Sequence, residues 1–560
     1  MNKLILLTVI FSFTSLFAKK AVEPQESGIQ GIFLTGKTED VIPQGRPGLK
    51  GIQTMDLEIP GNPKNLEELL KPYLRMPLTK ERAIEIKQKI MLYYVSQNRP
   101  MIAVEIPQQR TTGNVIQVVV IEKRFGRPIY KGESWYSDEQ MSKYLALEPG
   151  QEISEDTLQN NLSWMNRNPF TYTTSKYVPG EEPHLVDLEV NSRKRSALRL
   201  YARADDTGSD ATGYGRFATG FSWGNALWRG DLFTFEYCFS NEFDKYQSYM
   251  ANYTCFLPWK HIAMLFGNYA TVKPTVPQAH VKARSTQVYF HYTIPFKPLY
   301  TSFKHEMILG VEYKHTNSNI VVLPNGIVEI SAAVPVLQTV NVTQLYGNYT
   351  LYDVVADQNI SFSVDLYGSP AEIISHQSDK DFSDLRPNSK NRYFYTHVTF
   401  ADVYTIPDIM SFCLLLRGQV ASGTLPPTEL FILGGYNTVR GYHEAELATD
   451  NGFIANFEIR ARPIELWKRC KTKDQLTFLA FVDYGLGNNW FVAKNTGLRP
   501  PPHSQYLLGV GPGLRYMIAP YLQARVDYGF KLKQLFTSNK LEQELRLGFG
   551  QFHFGLLVSY

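Results

Sequence analysis

Four cysteines in 560 residues, Cys238, Cys255, Cys413 and Cys470, are too few and too scattered to form a disulfide framework. Strand parity sets Cys238 and Cys255 on opposite sides of one wall, so they read as small fillers. Charge of one sign is equally scarce. The 57 Lys+Arg against 53 Asp+Glu leave a net +4, without the concentrated basic patch that nucleic-acid binding through phosphates requires. The 11 histidines show no metal-ligand spacing such as HExxH. Beyond the N-terminus no stretch approaches 18 consecutive apolar residues, which argues against a spanning helix. Tryptophan is sparse at 7, yet 34 Tyr and 33 Phe are abundant and thicken after about residue 200.

The N-terminus reads as an export signal. Met1, Asn2 and Lys3 supply a positive start, a mostly apolar run of 14 residues extends from Leu4 to Phe17, and Ala18 is a small residue at the cleavage position. A spanning helix needs roughly 20 residues, so 1–18 is expected to be a signal peptide. An exported, aromatic-rich chain without spanning helices can satisfy its backbone in lipid only as a closed β-barrel.

Residues 19–49, with Gly31, Gly36, Pro43, Gly45, Pro47 and Gly48, are expected to be a linker segment. Residues 50–124 then show a strand (Gly51 to Ile59), a helix opening near Asn65, a second helix capped by Thr79, and two strand-like runs, Met101–Ile106 and Asn114–Glu122. The second helix is expected to bury Ile84, Ile86, Ile90, Met91, Tyr94 and Val95. Residues 125–195 repeat the order: a strand at Arg127–Lys131, a helix capped by Ser137, a helix over Ile153–Met165, and strands at Tyr172–Val178 and His184–Val190. Two copies of one β-α-α-β-β unit are an internal repeat.

After residue 196 helical periodicity disappears, and segments of about ten residues alternate apolar and polar. Leu198, Leu200, Ala202 and Ala204 take one face, Arg199, Tyr201 and Arg203 the other. The last strand sets Phe552, Phe554, Leu556, Val558 and Tyr560 on one face. About 16 such segments fit into 196–560. The apolar faces are expected to meet lipid and the charged faces a wet lumen.

The most specific local feature lies in a long connection, 422–450, which contains Gly434, Gly435, Val439, Arg440, Gly441 and Tyr442. Forty-three residues beyond Arg440, an otherwise apolar strand carries Phe481, Asp483 and Gly485 on its inward face. If the loop folds back into the barrel, the Arg440 guanidinium can meet the Asp483 carboxylate in a charge-assisted bond of bidentate geometry.

Here the sequence resembles the two-partner secretion transporters of the outer membrane (TpsB type, haemolysin secretion/activation), within the superfamily of the barrel-assembly insertases. VRGY at 439–442 and FxDxG at 481–485 resemble the superfamily's two hallmark motifs. Ile106-Pro107-Gln108, Asn166-Arg167-Asn168-Pro169-Phe170, Asn225 to Asp231, and Phe457-Glu458-Ile459-Arg460 resemble patterns of the secretion branch.

The resemblance implies a mainly β fold: a 16-stranded antiparallel transmembrane β-barrel (196–560) preceded by two small α/β POTRA domains, 50–124 and 125–195, in the periplasm. The pore-plugging N-terminal helix of some members is not carried over, because 19–49 is rich in Gly and Pro. The implied function is transport of an unfolded partner protein of adhesin or cytolysin type, recognised by the POTRA domains and passed outward without ATP. Arg440 and Asp483 would latch the loop. The lumen would be lined by Arg199, Arg203, Arg417, Arg460, Arg462, Arg515 and Arg525, balanced by Glu236, Glu458, Asp483 and Asp527. The alternative within the superfamily is insertion of other barrels into the membrane. Asp206-Thr207-Gly208 mimics an aspartic-protease triplet but lacks flanking apolar strands, so no catalytic role is read there. No cofactor, metal, nucleotide or nucleic acid is expected; outer-membrane lipid is.

Overall fold

The computed structural model describes residues 28–560 except 183, 210–211, 277–278, 281, 300–301, 319, 323–327, 331–336, 468–472, 492–501 and 536–549. The expected signal peptide, residues 19–27 and Cys470 therefore lie outside the described residues. The chain divides into two compact units. One takes the described part of Met1–Ile129 with Leu147–Leu158 and Lys176–Glu189; the other takes Tyr130–Ala146, Gln159–Ser175 and Val190–Tyr560.

The first unit contains β1 (Gly31–Thr35), β2 (Gly51–Met55), α1 (Pro63–Leu70), α2 (Lys80–Ser96), β3 (Ile102–Glu105) and β4 (Val115–Glu122). Its sheet runs β2-β1-β4-β3, with β1 parallel to both neighbours. The expectation of a linker over 19–49 is thereby corrected for its described part, from residue 28. Gly31–Thr35 is a wholly buried interior strand, because Ile32 and Leu34 face the helices while both backbone edges pair. Asn62 caps α1 by accepting from Lys64 N–H at 3.2 Å, with Pro63 in the first helical position. Thr79 caps α2 by accepting from Arg82 N–H at 3.2 Å. In α2 the four-residue spacing of Ile86, Ile90 and Tyr94 makes the buried face. Ile84, Met91 and Val95 are exposed instead, since they stand about 100° or more around the helix.

The second α/β set is β5 (Arg124–Glu133), α3 (Asp138–Leu145), α4 (Glu155–Met165), β6 (Thr171–Pro179) and β7 (Leu185–Lys194), with the sheet order β5-β7-β6. A Ser137–Gln140 capping box opens α3. The expected boundary at 195/196 is not where the compact units divide, because 130–146 and 159–175 group with the barrel. Asn168 Nδ2 donates to the carbonyls of Gly224 and Gly230 at 2.8 and 2.7 Å, and Arg167 pairs with Glu306 at 2.8 Å.

Sixteen strands close into an antiparallel barrel, from Leu198–Asp205 to Gln551–Ser559, the ring sealing where Gly555 pairs with Asp205 and Ser559 with Tyr201. Alternation decides the two faces. Leu198, Leu200, Phe552, Phe554, Leu556 and Val558 are exposed on the outside, whereas Asp483, Asp527 and His553 are wholly buried inside. Cys238, Cys255 and Cys413 are free thiols. Among the described residues no helix is long and apolar enough to cross a membrane.

Candidate functional site

The connection between strands Met410–Ala421 and Asn451–Ala461 folds into the lumen. It narrows through a two-stranded ladder, Phe431–Leu433 against Leu447–Thr449. Gly434, Gly435 and Gly441 take φ of +101°, +101° and +95°, a region that side chains rarely adopt, so the reversal is built on glycine. Glu444 folds back to accept the Tyr436 N–H, and Gly435 N–H donates to the Val439 carbonyl at 3.1 Å.

This turn aims Arg440 at the wall. Its Nε and Nη2 donate to the two Asp483 oxygens at 2.6 and 2.7 Å, the bidentate fork that the sequence spacing invites. Its backbone N–H adds a third bond to Asp483 at 3.0 Å. Nη1 donates to Glu458 Oε1 at 2.6 Å and lies 3.5 Å from Asp527 Oδ2. The guanidinium also stacks 3.5 Å from the Phe481 ring centre, which gives that motif residue its role.

The remaining motif positions are steric or positional. A Cβ on Gly485 would come within 2.7 Å of Val439 Cγ2. Tyr442 Oη donates to the Lys533 carbonyl at 2.6 Å and accepts from Leu508 N–H at 3.1 Å. The wall beneath is a strip of inward glycines on three neighbouring strands: Gly485 and Gly487, then Gly509, Gly511 and Gly513, then Gly529. A Cβ on Gly509 would lie 2.0 Å from the Arg440 carbonyl oxygen, and one on Gly529 would lie 2.3 Å from Gly441 N.

Most of the expected lumenal charges join this node. Arg515 forks onto Asp527 at 2.6 and 3.1 Å, Arg525 Nε donates to Asp527 at 2.6 Å, and Arg460 pairs with Glu458 at 2.7 Å. Asp483, Glu458 and Asp527 thus face Arg440, Arg460, Arg515 and Arg525. Arg203 pairs separately with Asp205 at 2.5 Å and with Glu236 at 3.0 Å. Arg199 stands near the ring closure, bonded to the Pro520 carbonyl at 2.9 Å and Ser559 Oγ at 2.7 Å. Arg417 is on strand Met410–Ala421, in register with Ile454 of the neighbouring strand Asn451–Ala461.

Arg462 departs from the expected lining. Its strand ends at Ala461, so inward parity stops, and the exposed side chain pairs with Asp408 in the adjacent turn at 3.3 Å.

Several partners were missed by sequence reasoning. His553 Nε2 accepts Gly441 N–H at 3.2 Å, and Nδ1 lies 3.0 Å from Asp206 Oδ2, which fixes Nδ1 as the protonated nitrogen. Asp206, noticed only as part of a protease-like triplet, therefore orients a histidine. Asn456 Nδ2 joins Asp483 Oδ1 at 2.7 Å to the Thr438 carbonyl at 2.6 Å. Asp450, at the loop's end, takes both Arg386 nitrogens at 2.5 and 3.1 Å. The available signal was parity alone: His553 and Asn456 are polar at inward positions.

The Omp85 superfamily domain model matches residues 374–555, and that of the haemolysin secretion/activation protein ShlB/FhaC/HecB matches residues 185–309. The chain is similar to the heme/hemopexin transporter protein HuxB of Haemophilus influenzae, 21% identical over 470 residues, 80% of this chain and 77% of that protein. Among solved structures, CdiB from Escherichia coli gives a TM-score of 0.68 at 14% identity, covering 98% of this chain and 93% of that one. BamA from Haemophilus ducreyi lacking POTRA domains 1-3 gives 0.50 at 12% identity, covering 90% and 99%.

Proposed function

Since this chain is an outer-membrane transporter of a partner protein, of the two-partner secretion type, we propose that its partner is captured unfolded in the periplasm and threaded outward through the lumen without ATP. Capture falls to the two α/β domains, read as POTRA domains over 28–124 and 125–195, the first extended from residue 50 to include β1. Edge strand β2 supports capture by strand addition, since among the described residues the sheet order leaves one of its sides unpaired. Main-chain pairing of this kind tolerates varied sequence.

The observation that carries the gating step is the Arg440 fork on Asp483, which holds a loop inside the channel the partner must use. Releasing it opens the route. The polar lumen avoids trapping apolar side chains in transit, and folding of the partner outside supplies the driving force. Exposed Leu198, Leu200, Phe552 and Phe554 on the outer face meet lipid, and exposed Trp228 and Trp259 on the turns suit the lipid–water interface.

The partner is of adhesin or cytolysin type; the similarity to HuxB, a heme/hemopexin transporter protein, adds a partner linked to heme or hemopexin as the other candidate. Proteomics of culture supernatant with and without this gene tests the reading. Loss of one large secreted protein is expected. Broad depletion of outer-membrane proteins would instead assign the chain to barrel assembly.

A further inference from the structure

Ahead of the motif, the same connection is fastened to a different part of the wall. Glu429 ends a short 3-10 turn, Pro427–Glu429, with its carboxylate fully buried. Lys314 Nζ donates to both carboxylate oxygens at 2.9 and 2.8 Å. Tyr395 Oη adds a bond at 2.5 Å and Gln344 Nε2 another at 3.2 Å. These partners come from strands Phe303–Thr316, Val340–Val355 and Tyr393–Ile406.

Arg440, eleven residues further on, is held instead from strands Asn451–Ala461, Asp474–Asn488 and Leu522–Lys531. In the ring of sixteen, the strand of Lys314, Phe303–Thr316, and the strand of Asp483, Asp474–Asn488, are six strands apart, so the two forks stand on well-separated parts of the wall. The two fastenings turn the loop into a bar across the lumen.

We propose that Lys314 and Glu429 are a second anchor of this loop, and that the pore opens only when this anchor and the Arg440 fork have both let go. The inference rests on the reading that the loop lies in the transport route.

The charges around the anchor make it asymmetric. Glu312 lies 3.6 Å from Lys314, His291 Nε2 lies 3.1 Å from Glu312, and Gln344 Nε2 bonds Glu312 at 2.8 Å. When Glu429 is neutralised, Lys314 still has Glu312. Removing Lys314 leaves Glu312 and Glu429 buried on either side of one glutamine amide, which drives the loop carboxylate out. Lys314 is thus the stronger positioning residue.

Full-length protein in planar lipid bilayers reads the anchor directly. Heat-modifiable gel migration first checks that each barrel has folded. Glu429→Gln should raise the open fraction severalfold, and Lys314→Met should raise it more. The double variant Lys314→Met/Glu429→Gln has one buried carboxylate fewer, so it should fold even if Lys314→Met does not, and should stay open. Folded Glu429→Gln and double variants that conduct like the native protein overturn the anchor, whatever their secretion. Raised conductance with unchanged secretion keeps the anchor and refutes the transport-route reading.

Discussion

Arg440→Ala removes the guanidinium that joins three carboxylates, and the geometry says which of them is left alone. Glu458 keeps Arg460 at 2.7 Å, while Asp527 keeps Arg515 and Arg525, both at 2.6 Å. Among the described residues Asp483 keeps only neutral donors, Asn456 Nδ2 at 2.7 Å and the backbone N–H of residue 440 at 3.0 Å. One buried charge is stranded, which sets the cost at the low end of the range for a broken buried pair, about 3 kcal/mol. With about 1.4 kcal/mol per factor of ten, loop docking weakens by roughly two orders of magnitude. Hydrogen exchange over 431–446 in solubilised protein reads that equilibrium, because opening sets the exchange rate of docked amides. Gly441 N–H, bonded to His553 in the docked loop, should exchange about 100 times faster in the variant. Arg440→Lys keeps the charge but not the fork and should recover only a small part. Asp483→Ala should cost less than Arg440→Ala, since Arg440 keeps Glu458 at 2.6 Å. Equal exchange in Arg440→Ala and native protein, or a larger effect of Asp483→Ala, would refute the reasoning.

Gly509→Ala should undock the loop while the barrel still inserts, because its Cβ would lie 2.0 Å from the Arg440 carbonyl oxygen; hydrogen exchange over 431–446 together with heat-modifiable migration separates the two effects, and native-like exchange would refute the clash. His553→Phe leaves the buried Gly441 N–H without its partner, at about 1–3 kcal/mol, while Asp206 keeps the Phe554 N–H at 3.0 Å, and should speed loop exchange; unchanged exchange would remove His553 from the docking site. Arg167→Glu should weaken secretion by placing two carboxylates at the 2.8 Å contact with Glu306, and the swap Arg167→Glu/Glu306→Arg should restore it; failure of the swap would mean that Arg167 acts elsewhere.

What could be read in advance followed period and parity. The outward Phe552, Phe554, Leu556 and Val558 alternate strictly, and burial on one face enforces that pattern. Asp483 was visible as a charge at an inward position of an apolar strand. Gly31–Thr35 was hidden, since three apolar residues, Ile32, Phe33 and Leu34, among Gly and Pro look like a loop until β2 and β4 flank them. Arg462 shows the converse error, parity carried one residue past the strand end at Ala461. Lys314 and Glu429 are 115 residues apart, with no motif around either, so only the closed ring brings them together. Arg386 and Asp450 escaped notice in the same way.

The glycine strip has a bearing on what happens after the loop has left. On Gly485, Gly487, Gly509 and Gly513 the inner surface is bare backbone that lies in register with neighbouring strands, its amides and carbonyls committed to the ladders. Such a surface has neither knobs to snag a moving polypeptide nor free hydrogen-bonding groups to hold it. The smoothness that lets the loop seat closely therefore also makes its vacated berth a low-friction track, and bulk added there would act as a brake on passage even where the barrel stays intact.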